Sequence, residues 1–93
     1  MNLTELTKDS DQQQFYLLAD GHKAFIDYSM DGGQYQLNYS EVPPPLRGQG
    51  VGKVLVESTF EVIAKEGKTA VAHCSYIRHI AKQSARWDGV VVD

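Results

Sequence analysis

The chain has 93 residues, 42% hydrophobic and 23% charged, with a net charge of −3 and one cysteine. That length fills one core but not two, so a single domain over residues 1–93 is expected. A lone cysteine excludes an internal disulfide, and a net acidic chain lacks the basic face that general nucleic-acid binding requires.

No apolar run approaches a membrane span, and the polar, acidic start MNLTELTKDSDQQQ is unlike a secretory signal. The expectation is a soluble, cytoplasmic monomer with no membrane partner and with Cys74 kept as a thiol in a reducing compartment. Charge is uneven: residues 1–46 hold two lysines against seven acids, and residues 47–93 hold seven cations against five acids. A small anionic ligand held in the second half suits that distribution.

In chain order, the first dozen residues are expected either to fray or to add an edge strand through Leu3 and Leu6. FYLLAD (15–20) and HKAFIDYSM (22–30) read as strands joined at Asp20-Gly21, a dipeptide that favours a tight hairpin. Asp31-Gly32-Gly33 is a second turn signal. In the following QYQLNYSEV (34–42), Tyr35, Leu37 and Tyr39 alternate with Gln36, Asn38 and Ser40, predicting a strand with the first three on its buried face. Pro43-Pro44-Pro45 stops that strand, because proline has no donor for a ladder.

Beyond the glycines of LRGQGVGK (46–53) the period lengthens. Leu55, Val56, Thr59, Phe60 and Ile63 fall on one helical face, and Lys53, Glu57, Glu61 and Lys65 on the other. The spacing predicts a helix over 50–66, ended by Gly67. TAVAHC (69–74) reads as a buried strand lying parallel to QYQLNYSEV through a right-handed crossover. A second helix is expected over 76–86, with Ile77, Ile80, Ala81 and Ser84 inward and Arg78, His79, Lys82 and Arg86 outward. Trp87 and Val90 to Val92 then pack the tail onto the core. The fold class is α+β: an antiparallel meander, a glycine loop, a central helix, a parallel strand with a splay, and a C-terminal helix.

The loop 46–53 joins the end of a strand to the start of a helix, where free N–H groups and the helix dipole favour an anion and glycines let it approach. The glycines suit a pyrophosphate cradle, and equally a plain corner after three prolines. Spacing excludes two better-known phosphate loops. Gly52-Lys53 is followed by Val54, where a Walker A loop needs Ser or Thr, and Lys53 stands where the third glycine of G-x-G-x-x-G belongs. Three scattered histidines and one cysteine lack metal-ligand spacing, so no metal is expected.

Arg47-Gly48-Gln49-Gly50-Val51-Gly52 matches the (Gln/Arg)-x-x-Gly-x-(Gly/Ala) signature of the GCN5-related N-acetyltransferases. With Ser40-Glu41-Val42-Pro43-Pro44 before it and Cys74-Ser75-Tyr76 after it, the chain from Phe15 to Trp87 resembles the smallest branch of that family, marked by a conserved glycine and cysteine. It departs at Tyr39, where a histidine is common, at Ser75, where proline is common, and at Ser84-Ala85-Arg86-Trp87, where a His-Pro-Glu-Tyr-like ending is usual. The resemblance implies acetyl-CoA as cosubstrate, its pyrophosphate on the loop amides from Gln49 to Lys53. Pantetheine would run between splayed parallel strands, pairing near Val42, with the thioester near Cys74. The cofactor-contacting set is then Val42 and the loop residues Arg47, Gly48, Gln49, Gly50, Val51, Gly52 and Lys53, joined by Tyr76 and Arg78.

Cys74 is read as a functional thiol, with His73, Arg78 and the start of the second helix available to favour its thiolate; a free cysteine at a strand end is otherwise a small core residue. Glu41 is the candidate proton acceptor for an amine, acting through water, or else an exposed strand-end carboxylate. His73 should face the opposite side of the sheet and His79 should be solvated. Arg78, Lys82 and Arg86 form either a solvated face or contacts to CoA phosphates. The expected function is transfer of acetyl to a primary amine on a small molecule or protein lysine, either directly or through an acetyl-cysteine. The alternatives are a CoA-sensing module without turnover and a module binding another phosphate ligand.

Overall fold

A computed structural model describes residues 2–92. Its strands are β1 (Thr7–Asp9), β2 (Gln14–Ala19), β3 (His22–Asp31), β4 (Gln34–Glu41), β5 (Ala70–Ala72) and β6 (Val91–Val92), and its helices are α1 (Val51–Lys65) and α2 (Ser75–Lys82). They form one six-stranded sheet in sequential order. β1 to β4 are an antiparallel meander, and β4, β5 and β6 run parallel.

The meander follows from the turn chemistry. Asp20 and Gly21 both take positive φ between β2 and β3, as do Gly32 and Gly33 between β3 and β4. Phe15, Leu17, Ala24, Ile26, Tyr28, Tyr35 and Leu37 make the inner face of the sheet, and Leu55, Val56, Phe60 and Ile63 of α1 complete the core. α1 closes with paired bonds from Gly67 N to Ala64 O and Lys68 N to Ile63 O, so it ends where the glycine predicts.

Four details differ from the periodicity. The edge strand forms at Thr7–Asp9, while Leu3 makes one isolated bridge to Ala19. The β3/β4 register slips between Asp27 and Tyr28, which pair with Tyr39 and Leu37 and leave Asn38 as an extra residue. That bulge reverses the alternation after Leu37, so Tyr39 is 48% exposed and Ser40 turns inward. α2 stops at Lys82, because Ser84 is extended and its hydroxyl accepts from the Arg86 amide to start a 3-10 turn at Ala85–Trp87. Ser84 therefore caps a turn and does not extend an apolar face, and Arg86 leaves the α2 face to pair with Glu61 at 3.2 Å. Lastly, the tail forms a short strand as well as packing. Trp87 is 2% exposed, meets Phe60 edge-on at 5.2 Å and donates its indole N–H to Glu57.

Candidate functional site

The site is built where β4 and β5 part. They pair only from Tyr35 to Leu37 against Ala70 to Ala72, and a last bond runs from His73 N to Leu37 O. Past it the bulged β4 leads away toward the prolines while the chain after β5 turns into α2. Ser40 Oγ and Cys74 Sγ, 3.3 Å apart, join the two diverging ends.

Extended Pro43 leads into a 3-10 turn at Pro44–Leu46 that buries Leu46 and delivers the chain to α1. Gly48 and Gly50 have φ of +78° and +79°, and Gly50 is the N-cap of α1 in the left-handed region. No side chain caps this helix and no acid lies in its first turn. Its leading amides therefore have neither an intrahelical acceptor nor a competing carboxylate, which is what an anion needs. Gly52 is different: a Cβ there would stand 2.6 Å from the Tyr76 hydroxyl, so the missing side chain is what lets the Tyr76 ring lie over the start of α1.

A cavity of about 420 Å³ opens here. Ser40 and Val42 form one wall, Leu46 to Gly48 and Gly50 to Gly52 the floor, excepting Gln49, and Tyr76 the other wall. Of the sequence-predicted residues, Val42, Arg47, Gly48, Gly50, Val51, Gly52 and Tyr76 are thus brought together. Gln49 turns its amide back to Pro45 O at 2.9 Å, and Lys53 is exposed, so any contribution from these two is through their backbone. Arg78 does not line the cavity; its guanidinium donates to Ala72 O at 3.3 Å and borders a separate groove against β6. Arg47 Nε donates to Val42 O at 3.0 Å, leaving that carbonyl a second lone pair.

Cys74 is half-buried at the N-cap of α2. Burial pushes its thiol up, but the Ser40 hydroxyl and the amides of Ile77 and Tyr76 facing the sulfur outweigh burial, so it titrates below its ordinary range. The cations expected to do this do not: His73 points to the opposite sheet face and meets Gln36 Oε1 at 2.7 Å, while Arg78 is turned toward Ala72. Burial raises the Tyr76 phenol, which stays protonated at neutral pH. Glu41 is exposed and accepts from the Tyr39 hydroxyl at 2.9 Å, an interaction that raises the Tyr39 phenol.

Ser40 is the site residue that periodicity missed. Strict alternation puts it outside, and only its place in the Ser-Glu-Val-Pro-Pro stretch signalled otherwise. Among the described residues, no group of three or more His, Cys, Asp or Glu could hold a metal ion, and no helix is long and apolar enough to cross a membrane.

The sequence profile described as GCN5-related N-acetyl-transferase matches residues 14–90. No curated protein matches the chain. Among solved structures, the NMR solution structure of a GCN5-like protein from Staphylococcus aureus superposes with a TM-score of 0.72 at 25% identity, covering 95% of this chain and 87% of that one. The family's cosubstrate, acetyl-CoA, fits the uncapped helix end and the bare glycine floor. A profile spanning most of the sequence, and a fold that superposes over nearly the whole chain, make this chain a member of the GCN5-related N-acetyltransferase family, an acetyl-CoA-dependent acetyltransferase.

Proposed function

We propose that this single-domain protein moves acetyl from acetyl-CoA to a primary amine in the cytoplasm, and that Cys74 carries the acetyl group between the two. The observation that carries the reading is the continuity of three features: an uncapped helix start over a glycine floor, a parting of parallel strands beside it, and a thiol with lowered pKa at the far end of that parting.

In this reading the amides from Gln49 to Lys53 hold the pyrophosphate, and the free valence of the Val42 backbone orients the pantetheine arm. The Cys74 thiolate attacks the thioester carbonyl carbon; a C–S bond forms to Cys74 and the C–S bond to CoA breaks. The Tyr76 phenol lines the cavity in its protonated form and can supply the proton that the departing thiolate takes up. A neutral amine then attacks the acetyl-cysteine, an amide forms, the Cys74 thiolate is restored, and the amine's proton leaves through water to Glu41, from which solvent returns it to the Tyr76 phenolate and restores the phenol.

The test combines binding and turnover. CoA should raise the melting temperature on the order of 10 °C at a hundredfold excess over Kd, since a ligand of the folded state alone stabilises it by mass action. ATP and NAD should do much less, and acetyl-CoA should be consumed in step with amide formation across a panel of amines. No shift with millimolar CoA overturns the cradle. CoA binding without transfer to any amine reduces the protein to a sensing module.

A further inference from the structure

We infer that the acceptor is a lysine within a basic polypeptide segment, held by a square of two aromatic rings and two carboxylates on the outer face of β3 and β4; this rests on the amine-acceptor reading above. The square is set by register. Phe25 pairs with Glu41 and Asp27 with Tyr39, and the bulge at Asn38 is what turns Tyr39 and Glu41 to the same outer face as Phe25 and Asp27. The rings lie on one diagonal with centroids 6.1 Å apart, and the carboxylates on the other. Both acids bear on the Tyr39 hydroxyl, Glu41 by a 2.9 Å hydrogen bond and Asp27 through its charge.

Among the described residues, neither carboxylate enters an ion pair with Lys or Arg. Asp27 accepts only the neutral amide of Gln14 at 2.9 Å. The cation that bears on Tyr39, Arg47, is tied by its Nε to Val42 O. One corner of this face already shows what it accepts: the Lys23 ammonium sits 4.7 Å from the Tyr16 ring centroid and 5.8 Å from that of Phe25. Two carboxylates without cations beside ring faces are complementary to a further ammonium or guanidinium.

The position couples this face to the chemistry. Ser40 and Val42 line the acetyl cavity, and Tyr39 and Glu41 alternate with them along one strand, so square and cavity lie back to back on β4. The sheet is open beside them, because β5 pairs no further than Leu37 and His73. The square borders none of the cavities at the glycine loop or the β6 edge. Small molecules are held in concave sites, whereas a solvent-facing, charged strand face suits an extended polypeptide. A basic residue two positions from the acceptor lysine would lie about 7 Å from it in an extended chain, the span of two strand residues.

The experiment uses the full chain, acetyl-CoA and three acceptors: a capped peptide with lysine and an arginine two residues away, the same peptide with glutamine for arginine, and free spermidine. The arginine peptide should show a KM roughly three- to fivefold below the glutamine peptide, the scale of an exposed ion pair plus a cation–π contact, and added salt should shrink the gap. Asp27→Asn keeps an oxygen for Gln14 and should narrow the difference while leaving KM for acetyl-CoA and for the glutamine peptide unchanged. Tyr39→Leu should act in the same direction. Equal KM values for the two peptides, a gap undiminished in both variants, or a preference for spermidine over either peptide overturns this inference alone. Transfer to no amine overturns it together with the reading it rests on.

Discussion

Gly52 and Tyr76 exclude any side chain between them: a β-carbon on Gly52 would stand 2.6 Å from the phenol oxygen and 3.1 Å from the carbon that bears it. The first turn of α1 and the wall of the cavity are thus a single close contact. Gly52→Ala should gain helix propensity of roughly 0.5–1 kcal/mol and push aside a ring that is 41% exposed, so stability should stay within about 1 kcal/mol of wild type. CoA affinity should fall at least severalfold, because the displaced ring or the new methyl group occupies the cavity. Calorimetric titration with CoA beside a thermal melt checks this, and wild-type affinity in a folded variant would put the cradle elsewhere. Gly50→Val is a poorer probe, since φ of +79° there penalises folding as well as binding.

The elements that function depends on were legible because their signals are local. The Asp20-Gly21 turn, the 3.6-residue spacing of Leu55 to Ile63 and the Gly67 stop each act within a few residues, and each reappears where expected. The glycine floor was legible for the same reason. Ser40, the outward turn of Tyr39 and the retreat of Arg78 were not, because each depends on contacts between elements distant in sequence or on a strand irregularity: a bulge at Asn38 in the first two, and the Ala72 carbonyl at the end of β5, which accepts from Arg78, in the third. A period-2 reading has no term for an inserted residue, and one insertion exchanges the faces of everything after it. α2 stopped early for a local reason that apolar spacing overrides on paper: the Ser84 hydroxyl competes for the backbone and starts a new turn.

Trp87 carries the tail's share of stability. It is almost wholly buried, packs on Phe60 of α1 and satisfies its N–H with Glu57. Trp87→Ala should therefore cost about 3–5 kcal/mol, a large part of what a domain this size has. Urea unfolding followed by far-ultraviolet circular dichroism measures it. A loss under about 1 kcal/mol would mean that the segment after α2 is detachable from the core.

Ser40 should set the reactivity of Cys74. Its hydroxyl favours the thiolate against burial, so Ser40→Ala should move the pH profile of iodoacetamide alkylation upward and slow the reaction at neutral pH about tenfold or more, the scale of one hydrogen bond to a charged group. Ser40→Thr keeps the hydroxyl and should keep the profile. The sign for stability follows: a thiol depressed in the folded state contributes stability above its unfolded pKa, lost as pH falls through the folded value, and Ser40→Ala shrinks that contribution. An unshifted alkylation profile in Ser40→Ala would assign the lowered thiol to the backbone amides of Ile77, Tyr76 and Ser40.

Cys74 itself separates two chemistries. If the thiol carries acetyl, mixing the protein with acetyl-CoA should add one acetyl group, located at Cys74 by peptide mass spectrometry and removed by an amine at least as fast as steady-state turnover. Cys74→Ala should abolish the adduct and reduce turnover by orders of magnitude, while CoA affinity persists because the helix-start amides and the glycine floor lie outside the change. If instead the amine attacks the bound thioester directly, Cys74→Ala should keep most of its turnover and no kinetically competent adduct should form. The lowered thiol then only backs the cavity wall at Ser40, and catalysis rests on holding the amine against the thioester. The decisive comparison is the rate of adduct loss against kcat, since an acetyl-cysteine that decays more slowly than turnover is a side product whatever its yield.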